Sequence, residues 1–386
     1  MSFISRLKAC AKKTVVSRNA VFTYAVDKQK TYLSSFPEPH NAIDRSYFQY
    51  KCQMKLLGFW RSLLMRLSSP FVLLFLMFRD MTGQSMATAD PCDAVFVSLG
   101  IPGSVIPESL KREFSRITTV ETADLHRLDS DDRQFLRCVW KRHPFSLHFL
   151  LKIYLKVSMY SAWRSLYAPK AFIVCSEYSF TSSIMTEYCR RNNIQHINVM
   201  HGEKLFYIRD AFFEFDRCYV WDEFYKNLFM RLKAHEHQFI VEAPPSLCFQ
   251  KQETAKEVDF TFYLGTEGEK ELQKLAGYCE RLQSLGYQVA VRPHPRYTDY
   301  SLLRLLPSEV VVEDGSALSV ETSVLRTQHV VSLYSTVLNQ ALCNDVSIVI
   351  DDVTDPQKYE TLRQLEFICL NKPHRLLSEI LKEEHV

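Results

Sequence analysis

Arg292-Pro293-His294-Pro295-Arg296 gathers two guanidiniums and an imidazole in five residues, directly behind the strand-like run 288–291. A second apolar run, 329–331, breaks into Ser332-Leu333-Tyr334-Ser335-Thr336 at the start of a helical pattern. Cations and small hydroxyls beside a helix N-terminus are equipment for gripping a phosphate. Gly265-Thr266 closes another apolar run, 260–264, in the same half. In the first half His201-Gly202-Glu203 follows the run 197–200. An imidazole titrates near neutrality and takes a proton from a hydroxyl. Glu203 either orients His201 or is the base itself, and Glu177, Glu313 and Asp314 are further acidic candidates. Gly100 and Gly103 leave room for a substrate close to the backbone. Plainer readings stand beside these. Ser335 and Thr336 serve equally as a helix N-cap, His294 as a hydrogen-bonded loop histidine, and His201 as a strand-end histidine bonded to backbone.

Strands alternating with helices must hold these residues. Apolar runs at 93–99, 171–175, 197–200, 218–221 and 239–241 read as strands, with helices over 107–115, 131–142 and 145–167 and one following the loop 176–179 as far as Arg191 between them. The alternation restarts at 260–264, continues through a helix over 268–285 and the strands 288–291, 329–331 and 347–350, and closes with helices at 356–366 and 373–384. This pattern predicts parallel sheets, with ligands at the carboxyl ends of the strands. The expected class is α/β, with two Rossmann-like domains facing a cleft and a basic helical extension before them. The expected divisions are 1–90, 91–245, 255–370 and a terminal helix over 371–386. Residues up to about 48 read as polar and poorly periodic, 82–91 as a linker, and Ala243-Pro244-Pro245-Ser246 as the boundary.

The net charge of +3 over 386 residues hides an asymmetry. Residues 1–80 carry 13 Lys/Arg against 4 Asp/Glu, nine net positive charges, leaving −6 for the rest. Within the basic part lie two apolar runs, 56–67 and 70–78, the second too short to span a bilayer and separated from the first by Pro70. A basic segment rich in Leu, Phe and Trp suits a membrane interface, and equally a helix packed on its own core. Residues 133–176 add eight Lys/Arg and no acid. The eleven cysteines are scattered, without C-x-x-C pairs or zinc spacing, which points to a reducing compartment. No secretory signal is expected. Without G-x-G-x-x-G or a Walker A sequence, a dinucleotide oxidoreductase and a P-loop ATPase are excluded. Asp129-Ser130-Asp131 follows no strand, so Asp131 reads as a solvated helix cap and no metal is implied.

His-Gly in the first half, with Arg-Pro-His-Pro and Ser-x-x-Ser-Thr in the second, resembles GT-B glycosyltransferases of bacterial surface-polysaccharide synthesis. Teichoic-acid polyol-phosphate transferases share the His-Gly, His-Pro, paired-Ser order. Sialyltransferases and polysialyltransferases carry an acidic-acidic-Gly motif, here Glu313-Asp314-Gly315, although in those families it precedes His-Pro and here it follows. The resemblance covers about residues 93–370. It implies a nucleotide-sugar donor held by Gly265, Thr266, Arg292, His294, Arg296, Ser332, Ser335 and Thr336, and a glycan or lipid-linked acceptor deprotonated by His201. It implies no cofactor, no metal and no nucleic acid, and a cytoplasmic enzyme peripheral on the inner face of the cell membrane. A polyol-phosphate transferase, a sugar-nucleotide epimerase and a non-catalytic glycan-assembly partner are the alternatives.

Overall fold

The computed structural model describes residues 22, 24–82, 90–121, 128–249 and 255–383. The expected linker falls mostly on 83–89, outside the described residues, as do residues 1–21. The chain divides into two compact units, the first comprising residues 1–201 and 206–242, the second 202–205 and 243–386.

Among the described residues of unit 1, three helices precede the sheet: α1 (Val26–Ser34), α2 (Ala42–Leu57) and α3 (Phe59–Thr82). There follow β1 (Ala94–Val97), α4 (Glu108–Glu113), β2 (Ile117–Val120), α5 (Ser130–Arg142), α6 (Leu147–Tyr167), β3 (Ala171–Val174), α7 (Ser182–Arg191), β4 (Gln195–Val199), β5 (Arg217–Val220), α8 (Glu223–Arg231) and β6 (Phe239–Val241). The six strands form one parallel sheet in the order β2-β1-β3-β4-β5-β6. The central strands are buried at every residue, Ala94–Val97 and Ala171–Val174 alike, which is why they read as unbroken apolar runs.

Unit 2 runs β7 (Val258–Tyr263), α9 (Glu269–Ser284), β8 (Val289–Arg292), β9 (Val311–Val312), α10 (Val320–Arg326), β10 (Thr327–Ser332), α11 (Thr336–Cys343), β11 (Ser347–Ile350), α12 (Pro356–Gln364), β12 (Arg375–Leu376) and α13 (Leu377–Ile380). Its sheet is also parallel and six-stranded, ordered β12-β11-β10-β7-β8-β9. Phe260, Phe262, Val291, Val331 and Val349 from four of its strands form a core with Leu272, Leu275 and Leu282 of α9.

Three expectations fail, each for a physical reason. The segment before residue 48 is helical from Val26 and again from Ala42. α2 buries Arg45, Ser46 and Gln49, polar residues that hydrogen-bond other segments, so no apolar period announces it. Pro70 does not part the two apolar runs: α3 is one helix of 24 residues with Pro70 inside it. Proline removes the N–H that would bond the Arg66 carbonyl, and the Ser69 hydroxyl, which donates to the Met65 carbonyl, turns inward beside that gap. The last expected helix, 373–384, is instead the edge strand β12 and a single turn, α13, whose Leu377 and Ile380 are buried.

Candidate functional site

A doubly wound sheet binds ligands where its strand order reverses, beyond the carboxyl ends of the two strands that flank the reversal. In unit 1 those strands are β1 and β3. β1 leads into Ser98-Leu99-Gly100-Ile101, closed by an Ile101 N–H donating to the Ser98 carbonyl at 2.8 Å. Leu99 and Gly100 both have positive φ, 48° and 82°. Glycine adopts that conformation freely, whereas leucine is strained in it. A Cβ added at Gly100 or Gly103 would meet nothing within 4 Å, so the backbone there borders open space.

β3 leads into Ser176-Glu177-Tyr178. The Ser176 N–H donates to Asn198 Oδ1 at 2.8 Å, and the Ser179 N–H returns to the Ser176 carbonyl at 2.8 Å. The α2 helix grips this loop from its other side: Gln49 Nε2 donates to the Glu177 carbonyl at 2.9 Å and Gln53 Nε2 to the Tyr178 carbonyl at 2.7 Å. Glu177 is wholly buried. His201, just past β4, turns Nδ1 toward Glu177 Oε1 at 3.9 Å, while a quarter of its side chain stays exposed. That is an ion-pair distance rather than a hydrogen bond, so the attraction operates when the imidazole is protonated. The Tyr178 ring meets His201 edge-on at 6.2 Å, with the Arg209 guanidinium 5.5 Å from the ring centre. Burial, then the Glu177 charge, pushes the Tyr178 phenol up to about 12, so it stays protonated at neutral pH.

In unit 2 the order reverses between β7 and β10. Gly265 therefore stands at the reversal with Ser332 and Ser335, while Arg292 and His294 follow β8, one strand over. The Gly265 N–H donates to Glu267 Oε2 at 2.5 Å, so a carboxylate already occupies this anion-accepting position. Burial raises the Glu267 carboxyl above its ordinary value, with the N–H bonds opposing. The Ser332 hydroxyl donates to the Tyr263 carbonyl at 3.1 Å, and Ser335 caps α11 by accepting from the Val337 N–H at 3.3 Å. Thr336 is the first residue of that helix and Thr266 is exposed.

His294 is held firmly. Its N–H donates to Thr298 Oγ1 at 2.8 Å, and its Nδ1 accepts the Arg296 N–H at 3.1 Å, which assigns the ring proton to Nε2. Thr298 in turn donates to the Gly265 carbonyl at 3.3 Å, tying the His-Pro loop to the β7 loop. The Arg296 side chain is exposed. Arg292 is committed elsewhere: Nη1 donates to Glu313 Oε2 at 2.9 Å and Nη2 to the Leu318 carbonyl at 2.8 Å. Glu313 also accepts from Arg326 at 2.9 Å and from the Ser323 hydroxyl at 2.6 Å. Asp314 is exposed and accepts from the Ser316 N–H at 2.8 Å, a bond that lowers its pKa. Glu203 accepts from Asn339 Nδ2 of α11, and its other oxygen from the Lys204 N–H at 3.2 Å.

The structure thus brings His201 together with Glu177 in unit 1, and Gly265 together with His294 through Thr298 in unit 2. It gives Arg292, Glu313 and Glu203 partners inside the protein. Sequence reading missed Thr298, Glu267, Asn339 and Arg326, which carry no motif. Asn198 did leave a signal, an amide inside the apolar strand Gln195–Val199, and it is fully buried. The expected cap at Asp131 is corrected: Asp129 is the N-cap, in a reciprocal pair with Asp132, and Asp131 is exposed. Among the described residues Glu214, His235 and His237 lie close enough to share a cation, but Arg45 is 2.8 Å from His235 Nε2 and Arg190 is 3.0 Å from Glu214. Two guanidiniums at that range oppose a metal ion.

No protein-family model matches the sequence, and no curated protein matches it at a significant level. Among solved structures, the wall teichoic acid polymerase TagF aligns over 87% of this chain and 87% of its own, at 12% identity and a TM-score of 0.43. The glycotransferase of kitacinnamycin aligns over 76% and 91%, at 13% identity and 0.42. The UDP-GlcNAc 2-epimerase of Methanocaldococcus jannaschii, in complex with UDP-GlcNAc and UDP, aligns over 73% and 93%, at 11% identity and 0.41. Nothing about activity follows from alignments this loose.

Proposed function

We propose that the chain is a glycosyltransferase that uses a nucleotide-sugar donor and needs no metal, with His201 as general base. The observation that carries this reading is the buried Glu177 carboxylate 3.9 Å from Nδ1 of a part-exposed histidine at a strand's carboxyl end. The acceptor hydroxyl gives its proton to His201 Nε2 as its oxygen bonds the anomeric carbon. The bond from that carbon to the donor phosphate breaks, and the nucleotide leaves with the electron pair. Glu177 holds the imidazolium that results. Glu203, bonded to Asn339, is a positioning group rather than the base. The donor phosphate belongs at the unit 2 sheet edge, where His294 offers an Nε2–H, Arg296 a cation, and Gly265 and the start of α11 backbone N–H groups. Glu267 yields the Gly265 N–H to the ligand, and its raised pKa eases that exchange. Arg292 fixes the loop through Glu313 and is not a phosphate ligand.

A thermal-shift screen with CMP, CDP, UDP and GDP identifies the nucleotide, since a bound ligand stabilises the native state in proportion to its affinity. With the donor in hand, His201→Ala lowers turnover by roughly 10²–10⁴-fold and leaves nucleotide affinity near wild type by calorimetry. His294→Ala does the reverse, costing about 1–3 kcal/mol in nucleotide affinity. Undiminished transfer by a folded His201→Ala protein removes the base, and with it this reading.

We further propose that the enzyme works at the inner surface of an anionic membrane through α3. Phe59, Trp60, Leu64, Leu67, Phe71, Leu74, Phe75, Met77 and Phe78 are all exposed. At 3.6 residues per turn they fall within about 160° of the helix, with Arg61 and Arg66 at the two margins. Isolated exposed leucines are ordinary, but a contiguous face of this size marks an interaction surface. By length and composition Phe59–Phe78 could also cross a bilayer. The opposite face argues for lying flat: Ser62, Ser69, Leu73 and Leu76 are buried, and Tyr154 of α6 donates to the Leu76 carbonyl at 3.3 Å. Combined Leu67→Ser, Phe71→Ser and Leu74→Ser changes abolish salt-sensitive co-sedimentation with anionic vesicles; unaltered binding removes α3 from the membrane.

A further inference from the structure

Beside the exposed face of α3 lies a groove of about 360 Å³ in unit 1, built by Leu73 and Met77 of α3, Leu136 and Trp140 of α5, and Leu150 and Tyr154 of α6. Its walls are almost wholly apolar, and Arg133 and Arg137 are the charged side chains that border it. A sugar site would show converging polar groups, as ligand pockets with polar ligands do. This groove pairs hydrocarbon walls with two guanidiniums one helical turn apart, the complement of an acyl chain that ends in a phosphate. Met77 belongs to both surfaces: it lines the groove and lies on the exposed arc of α3. A lipid in the leaflet beneath α3 therefore reaches the groove without leaving apolar surroundings.

We propose that this groove holds one acyl chain of an anionic bilayer phospholipid, with its phosphate on Arg133 and Arg137. The proposal rests on the membrane reading of α3 for the source of the lipid but not for the site itself. The tryptophans separate the two. Of the chain's four, Trp163 and Trp221 are buried, Trp60 lies on the exposed arc of α3, and Trp140 lines the groove. In a Trp60→Phe protein, short-chain phosphatidylglycerol brominated along its acyl chain, kept below its micelle concentration, quenches Trp140 saturably at one lipid per protein. Met77→Glu abolishes this quenching. Arg133→Gln with Arg137→Gln weakens it at least tenfold. Absence of saturable quenching by the monomeric lipid overturns the proposal, even if vesicles quench Trp60 in a Trp140→Phe protein and the membrane reading stands. Saturable quenching of Trp140 with Trp60 indifferent to vesicles leaves the groove occupied and removes the membrane reading instead. Equal binding of a brominated diacylglycerol overturns the phosphate assignment. Stronger binding of a polyprenyl phosphate, measured by displacement, makes the occupant an acceptor lipid and overturns the phospholipid.

Discussion

Two buried glutamates sit near the carboxyl edges of the two sheets, and they are neutralised differently. Glu313 in unit 2 is clamped by Arg292 and Arg326 at 2.9 Å each and by the Ser323 hydroxyl. Both of its partners are guanidiniums, which stay charged at any ordinary pH. Glu177 in unit 1 faces an imidazole at 3.9 Å, a partner that is charged only when protonated. Burial of a carboxylate therefore does not by itself mark chemistry, and the proposal for unit 1 turns on the kind of partner Glu177 faces.

Exchanging the two residues' fates is the sharpest way to break that contrast. Glu313→Ala leaves two part-buried guanidiniums without their anion and lowers the unfolding free energy by about 3–5 kcal/mol in a urea titration. Glu177→Gln keeps size and packing, so its midpoint stays within about 1 kcal/mol of wild type while turnover falls roughly 10²-fold with little change in KM. Equal loss of stability in both variants would make Glu177 a second structural ion pair.

Acid sharpens the comparison at the level of whole units. In unit 1, burial lowers the pKa of His196 to about 3, and burial with Lys152 and Arg66 lowers that of His148 to about 4. Both rings are neutral in the fold and bind protons more readily once unfolded. Their contribution is complete above about pH 6.5 and is lost as pH falls, by up to about 2 kcal/mol per histidine between pH 6.5 and 5. In unit 2, burial raises the carboxyls of Glu267 and Asp351, which take up protons more readily folded than unfolded. Their contribution has the opposite sign, growing as pH falls. Hydrogen exchange at mildly acid pH accordingly shows unit 1 opening first, and His196→Gln flattens its pH dependence.

The smallest effect concerns backbone strain. Leu99 holds a left-handed φ at the end of β1, whereas no strand-end residue other than glycine does so in the described part of unit 2. Leu99→Gly relieves about 1–2 kcal/mol of strain against about 0.5–1 kcal/mol of added chain entropy, a net gain of about half a kcal/mol in denaturant unfolding.

Strands were legible where the sheet covers both their faces. Val95, Phe96, Phe172, Ile173 and Val349 are fully buried, so their runs carry no polar interruption. β2, β9 and β12 lie at sheet edges, and β9 is exposed at both residues, so water rather than core chose their side chains. The same logic hid α2. Its buried face bonds carbonyls of distant loops through Arg45, Gln49 and Gln53, and such a face looks like a surface in any hydrophobicity pattern. Within the site, His201 and His294 announced themselves through motifs. Their neighbours, Glu177 at one and Thr298 at the other, depend on which loops meet, and spacing along the chain does not encode that.

The grip of α2 on the unit 1 loops has a kinetic side. Gln49 reaches the Glu177 and Arg209 carbonyls, 128 and 160 positions along the chain, and Arg45 reaches His235, 190 positions away. Contacts this distant form late, after the intervening chain has paid its loop-closure entropy. During synthesis α2 and α3 emerge before β3, β4 and β5 and wait for them before they can dock. Throughout that interval α3 shows water both its apolar arc and the face later covered by α6. Yield of soluble protein on expression should therefore fall with slower elongation and rise when a lipid surface or a chaperone is supplied during synthesis.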